Sequence, residues 1–85
     1  MAFEIRNNAE MHRFELDVEG KKAFTVYSLF DGGIDFRHTE VPPELEGKGI
    51  GSALAKHVLD YAKANHLETV VTCPFIKKWK ERHPD

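Results

Sequence analysis

ELEGKGIGSAL, residues 44–54, sets three glycines at alternate positions immediately before an amphipathic stretch. Gly47, Gly49 and Gly51 are half of the chain's six glycines. Glycine loses more conformational freedom on folding than any other residue, so three of them together need a reason. The residues that follow supply a context. In GIGSALAKHVLDYAKANH, Ile50, Leu54, Val58 and Tyr61 recur at the spacing of one helical face. The pattern predicts a helix over about 49–66, with Asn65 and His66 at its C-terminal end.

Upstream of the glycines the period changes from 3.6 to 2. FEIRNN (3–8), RFELDVEG (13–20), KAFTVYSLF (22–30) and GIDFRHTEV (33–41) each alternate apolar and polar residues. That is the mark of strands with one face in a core. In the third segment Phe24, Val26, Ser28 and Phe30 stand against Thr25, Tyr27 and Leu29, which reads as burial on both faces. Gly20 and the pair Gly32–Gly33 supply hairpin turns, and VPP at 41–43 ends the fourth strand because proline cannot donate to a ladder. Downstream, ETVVTC (68–73) is a β-branched run. Pro74 suits the first turn of a second helix, with Phe75, Ile76 and Trp79 as its buried face. The expected fold is α+β: a four-stranded antiparallel meander, a crossover helix, a parallel fifth strand and a C-terminal helix (ββββ-α-β-α).

The bulk numbers set bounds. Eighty-five residues with 41% hydrophobic composition read as a single domain, 1–85, with a modest core. A net charge of −2 points neither to nucleic acid nor to a membrane. The basic KKWKER (77–82) is one turn of helix in an acidic chain, a poor nucleic-acid patch. One cysteine forms no internal disulfide, and the N-terminal residues lack the pattern of a signal peptide, so a cytoplasmic location is expected. The five histidines fall at no zinc-ligand spacing, and no metal is expected.

A strand, a glycine turn and a helix N-terminus together make an anion site. The stretch is neither G-x-x-x-x-G-K-[ST] nor G-x-G-x-x-G, since Ser52 stands where the third glycine of the latter belongs. It resembles motif A of the GNAT superfamily of acetyl-CoA-dependent N-acetyltransferases, [R/Q]-x-x-G-x-[G/A], over Glu46-Gly47-Lys48-Gly49-Ile50-Gly51. Position 46, Arg or Gln in that motif, is Glu here. Residues 38–84, from HTEVPPELEGKGIGS to CPF and the closing HP, are similar to the small single-domain members of that superfamily.

The resemblance implies acetyl-CoA as co-substrate. Its pyrophosphate would lie on the N–H groups around Gly47, Lys48, Gly49, Ile50, Gly51 and Ser52. Its pantetheine arm would lie in a cleft between the fourth and fifth strands, along the backbone from Thr39 to Val41. One of the lysines 56, 77, 78 and 80 would meet the 3′-phosphate. An amine would be the acceptor: a small molecule, a polyamine or a protein tail.

Two catalytic routes stand open. Cys73, just before Pro74, sits where a helix N-terminus favours thiolate, so it reads as an acyl nucleophile or as a small buried hydrophobe. Alternatively the amine attacks directly, with His38 or Glu40 as base and a backbone N–H near Val41 for the thioester oxygen. Larger members of the superfamily place two helices over the acceptor site. Here only AEMH (9–12) connects the first two strands, so the site would be open in a monomer or closed in a homodimer. A non-catalytic module that holds coenzyme A, or one that binds a partner protein, is the alternative reading.

Overall fold

In a computed structural model that describes residues 3–83, the elements follow the expected order. Met1, Ala2, Pro84 and Asp85 lie outside the described residues, and with them the ends of the stretches read for a signal peptide and for the family resemblance. The strands are β1 (Arg6–Asn8), β2 (Arg13–Val18), β3 (Lys21–Phe30), β4 (Gly33–Glu40) and β5 (Glu68–Val71). The helices are α1 (Ile50–Ala64) and α2 (Pro74–Arg82). One sheet runs in the order β1-β2-β3-β4-β5, antiparallel throughout except for the parallel β4–β5 pair. The crossover through α1 is what permits that pairing.

The strand register sorts the side chains into two faces. Phe14 and Leu16 of β2 lie opposite Thr25 and Ala23 of β3, and Tyr27 opposite Phe36 of β4. These residues are buried together with Ile34 and with Ile50, Leu54, Val58 and Ala62 of α1 and Ile76 of α2. Both helices therefore cover the same face. The buried Tyr27 keeps its hydroxyl satisfied by donating to Asn7 Oδ1 at 2.7 Å.

Three details depart from the sequence reading. In β3 only the odd-numbered set from Ala23 to Tyr27 is buried; Phe24, Val26 and Ser28 are half-buried on the opposite face, while Leu29 and Phe30 are exposed. The sheet has helices on one side only, so nothing buries the second set. The ladder of β1 covers Arg6–Asn8 rather than 3–8: it pairs Asn8 with Arg13 and stops at Arg6 opposite Glu15, although β2 runs on to Val18. Phe3 and Ile5 still pack against the core from outside the ladder. Finally, Phe75 of α2 is exposed (45%), and Ile76 and Trp79 face the core without it.

Among the described residues the open face holds one buried charge, Glu15. Glu15 lies under Arg13 (2.7 Å), Arg6 (3.3 Å) and Lys22 (3.5 Å), with Asn8 donating at 3.3 Å. Burial pushes its carboxyl up, but the hydrogen bonds from Arg13 and Asn8, the Lys22 charge and the Arg6 bond outweigh it. The net result is a carboxyl held below its ordinary range.

Candidate functional site

Strands β4 and β5 part company at one residue. Their ladder runs from Gly33↔Glu68 to Phe36↔Val71, and the N–H groups of Thr72 and Cys73 then both donate to the Phe36 carbonyl at 2.9 Å. Beyond that point β4 continues to Glu40 without β5. At the same place β4 bulges. Tyr27 faces Phe36 but Val26 faces His38, which leaves Arg37 as the extra residue. Strict alternation from Ile34 and Phe36 would bring His38 and Glu40 to the core face. The bulge reverses them: Thr39 turns inward opposite Thr25, and His38 and Glu40 turn away from the core.

After β4, Val41 and Pro42 lead into a single 3₁₀ turn, Pro43–Leu45, which drops Leu45 into the core. Glu46 is extended, and Gly47 (φ 85°) and Gly49 (φ 79°) hold left-handed backbone that side-chain-bearing residues rarely adopt. Helix α1 starts with the bond from Ala53 N–H to the Gly49 carbonyl (3.0 Å). Gly49 offers no side-chain cap, and no acidic residue stands in the first turn. The N–H groups of Ile50, Gly51 and Ser52 have no acceptor among the described residues. A Cβ at position 47 or 49 would meet no atom within 4 Å, so this backbone faces open space.

Gly51 differs. A Cβ there would come within 2.7 Å of Phe75 Cζ, so the exposed phenyl ring rests where a side chain would stand. The first turn of α1, the strand end and Phe75 enclose a cleft of about 530 Å³. Leu45 and Ile50 form its apolar floor, and Thr39, Glu40 and Val41 its β4 wall.

The residues singled out from the sequence sort as follows. Thr39, Glu40, Val41, Gly47, Gly49, Ile50, Gly51 and Ser52 all line this cleft. Lys48 does not; its Nζ reaches Glu19 Oε2 in the β2–β3 turn at 3.4 Å. Glu40 and Glu46 are the charged residues among the described ones that line the cleft, and the lining includes no described lysine or arginine. His38 lies outside the lining but its Nε2 is 2.9 Å from Glu40 Oε1, with both side chains more than half exposed. Cys73 is the N-cap of α2, caps nothing with its side chain, and is buried at 2% exposure. Its Sγ is 3.4 Å from Thr39 Oγ1, which in turn is 3.0 Å from Thr25 Oγ1. Sequence reasoning missed Thr25, an ordinary strand threonine that no pattern marks, and it put Phe75 on the buried face of α2 rather than in the cleft wall, although the CPF of the resemblance contains it.

The donor set fits an anion that meets backbone rather than side chains: free N–H groups, a helix N-terminus, and open glycine positions on either side of Lys48. Among the described residues no group of three His, Cys, Asp or Glu could hold a metal ion, and no helix is long and apolar enough to cross a membrane.

Comparison with known proteins bears on this geometry. A family model described as GCN5-related N-acetyl-transferase matches residues 13–85. Protein NATD1 of Mus musculus is 39% identical over 83 residues, which cover 94% of this chain and 76% of that protein. Protein NATD1 of Gallus gallus is 39% identical over 84 residues, 95% of this chain and 76% of that protein. The Danio rerio protein of the same name is 28% identical over 83 residues, with 94% and 76% covered.

Proposed function

Since this chain belongs to the GCN5-related N-acetyltransferase family, we propose that it transfers an acetyl group from acetyl-CoA to an amine. The observation that carries this reading is the cleft where β4 leaves β5, floored by Ile50 and closed by the unpartnered N–H groups of α1. Coenzyme A presents a pyrophosphate and an extended amide-bearing arm. The first matches the N-terminus of α1 with Gly47 and Gly49, and the second matches the unpaired edge of β4 from Thr39 to Val41. Both contacts are made by backbone, which is why the family's Arg or Gln at position 46 is dispensable in principle. Glu46 weakens the site through its charge and Lys48, turned to Glu19, does not offset it.

The direct route draws on the exposed His38–Glu40 pair, of which Glu40 lines the cleft and His38 stands outside the lining. His38 Nε2–H donates to Glu40, which leaves Nδ1 with the lone pair to accept a proton from the incoming amine. Both groups are accessible from solvent and Glu40 is on the cleft wall. An acetyl-Cys73 route draws on the contact of Sγ with the cleft-lining Thr39, but the thiol itself is buried and outside the lining. The amine acceptor approaches an uncovered site, since only Ala9–His12 connects β1 to β2.

Calorimetric titration with acetyl-CoA, with ATP and NAD as controls, tests the reading. Selective binding with a micromolar dissociation constant, about −8 kcal/mol, supports it. Absence of heat at millimolar acetyl-CoA refutes it. Binding without acetylation of any amine in a panel that spans polyamines, lysine peptides and aromatic amines turns the assignment to a non-catalytic coenzyme A module. Turnover that survives Cys73→Ala excludes the acetyl-cysteine route.

A further inference from the structure

Three side chains meet where the bulge turns β4 inward: Cys73, Thr39 and Thr25. Their hydrogens can be counted. Thr25 is fully buried, and among the described residues its hydroxyl has one partner, Thr39 Oγ1 at 3.0 Å. A buried hydroxyl hydrogen without an acceptor is costly, so Thr25 donates and Thr39 accepts. Cys73 is buried as well, and among the described residues its S–H has the same single acceptor at 3.4 Å. A hydroxyl oxygen has two acceptor sites and one hydrogen to give. Both acceptor sites of Thr39 are thus filled from the core side. The reverse arrangement, Thr39 donating to Thr25, would strand the Thr25 hydrogen inside the core.

The hydrogen of Thr39 itself has no acceptor among the described residues, and Thr39 lines the cleft. Two accepted hydrogen bonds polarise a hydroxyl and strengthen the bond it donates. We infer that Thr39 Oγ1–H is a side-chain donor to the thioester carbonyl oxygen of the acyl donor, and that Cys73 and Thr25 are the positioning residues that aim and polarise it. The inference rests on the acetyl-transfer reading above and adds a catalytic residue to it. As the amine nitrogen bonds to the carbonyl carbon, the π pair moves onto the oxygen, where the Thr39 hydroxyl meets it. The pair returns as the C–S bond breaks, the sulfur leaves as thiolate, and the amine's proton passes to His38. A donor placed before charge develops is worth most at that moment. In this arrangement the thiol of Cys73 keeps its proton and forms no bond to the acetyl group.

The test follows the carbonyl directly. Carbon-13 NMR of [1-¹³C]acetyl-CoA is recorded with the wild-type chain, Thr39→Val and Thr39→Ser. Binding is measured separately by calorimetry and folding by thermal melt. The expected result is a downfield shift of the bound carbonyl with wild type and Thr39→Ser, and a return toward the free position with Thr39→Val. For whichever of spermidine, lysine ethyl ester and tyramine the wild type acetylates, kcat falls about 100-fold or more in Thr39→Val and is restored by Thr39→Ser. Cys73→Ala, which removes one of two polarising donors, lowers kcat less than Thr39→Val. If Thr39→Val does not fold, Thr39→Ala carries the comparison with Thr39→Ser. An unchanged carbonyl shift in the hydroxyl-free variant, or a Thr39→Ser variant as impaired as Thr39→Val, overturns the inference while leaving the acetyl-CoA site intact. Loss of all turnover in Cys73→Ala with turnover kept in Thr39→Val overturns it in favour of the acetyl-cysteine route. No heat from acetyl-CoA with wild type removes both the function and this inference.

Discussion

Gly51→Ala separates two reasons a glycine can stand at the start of α1. In a helix, alanine is favoured over glycine by about 1 kcal/mol. Position 51 is in the first turn with ordinary helical backbone, so that gain is available here. Against it stands the Phe75 ring: the new Cβ would sit 3.1 Å from Cε2, a tight contact, and 2.7 Å from Cζ, closer than packed methyl groups come. Phe75 is 45% exposed and the clashing atoms are at the end of its side chain, so the ring swings away rather than distorting the backbone. A phenylalanine buries on the order of 200 Å² when fully covered. About half of that is covered here, and losing part of the cover costs about 1 kcal/mol at about 25 cal/mol per Å². The two effects nearly cancel.

The expected outcome is therefore conditional. In the wild-type background Gly51→Ala changes stability by less than about 0.5 kcal/mol. In a Phe75→Ala background, where no ring obstructs the methyl group, it stabilises by about 1 kcal/mol. A double-mutant cycle by urea denaturation reads the coupling, about 1 kcal/mol, above the few tenths by which independent sites depart from additivity. Equal stabilisation in both backgrounds would refute the argument that Phe75 excludes a side chain at 51. Gly49→Ala is the control: its Cβ meets nothing, so its cost of about 1–2 kcal/mol comes from the left-handed backbone alone and is the same with or without Phe75.

Glu15→Gln destabilises the chain at neutral pH, where the carboxylate answers Arg13, Arg6 and Lys22. Because folding lowers the Glu15 pKa, its contribution is fully present above the unfolded value near 4.5 and is lost as pH falls through the lower folded value. The gap between wild type and Glu15→Gln in urea midpoints at pH 7 should thus close as the pH approaches 3. Glu46→Gln removes a negative charge from the cleft wall and should tighten acetyl-CoA up to about fivefold by calorimetry, the scale of an exposed charge interaction. An unchanged affinity would place the Glu46 carboxylate away from the pyrophosphate. Glu40→Gln and His38→Ala should each lower kcat about 100-fold for an acetylated amine with little change in acetyl-CoA affinity, and a large loss of affinity would reassign them to binding.

The fold was legible because its signals are local and redundant. The apolar stripe from Ile50 to Val58 states a helix, the β-branched Thr69–Thr72 run states a strand, and Pro42, Pro43 and Pro74 punctuate both. The ends were less so. Phe3 and Ile5 have strand chemistry, but the β1–β2 ladder stops at Arg6↔Glu15 and they pack on the core from outside it. Which face of β3 is buried was also out of reach, since Phe24, Val26 and Phe30 are more apolar than Thr25, and only the pairing with Phe14 and Phe36 decides the matter. The glycine motif located the cleft, yet it concealed that its three members are glycines for two different reasons: backbone conformation at 47 and 49, and a neighbouring ring at 51.

What no residue type announced is the bulge at Arg37, and it ties the fold to the chemistry. A strand of strict alternation offers one parity from end to end. Phe36 must face the core to carry the packing under α1 and α2, so without a bulge His38 and Glu40 would follow it inward and Thr39 would face outward. The extra residue lets the same strand build a core at its start and change parity before its end. It directly follows Phe36, the residue where the ladder with β5 stops, so the parity change and the opening of the cleft coincide. From that point an inward Thr39, backed by Cys73 and Thr25, and an outward Glu40, bonded to His38 outside the lining, border one cleft from opposite faces of a single strand.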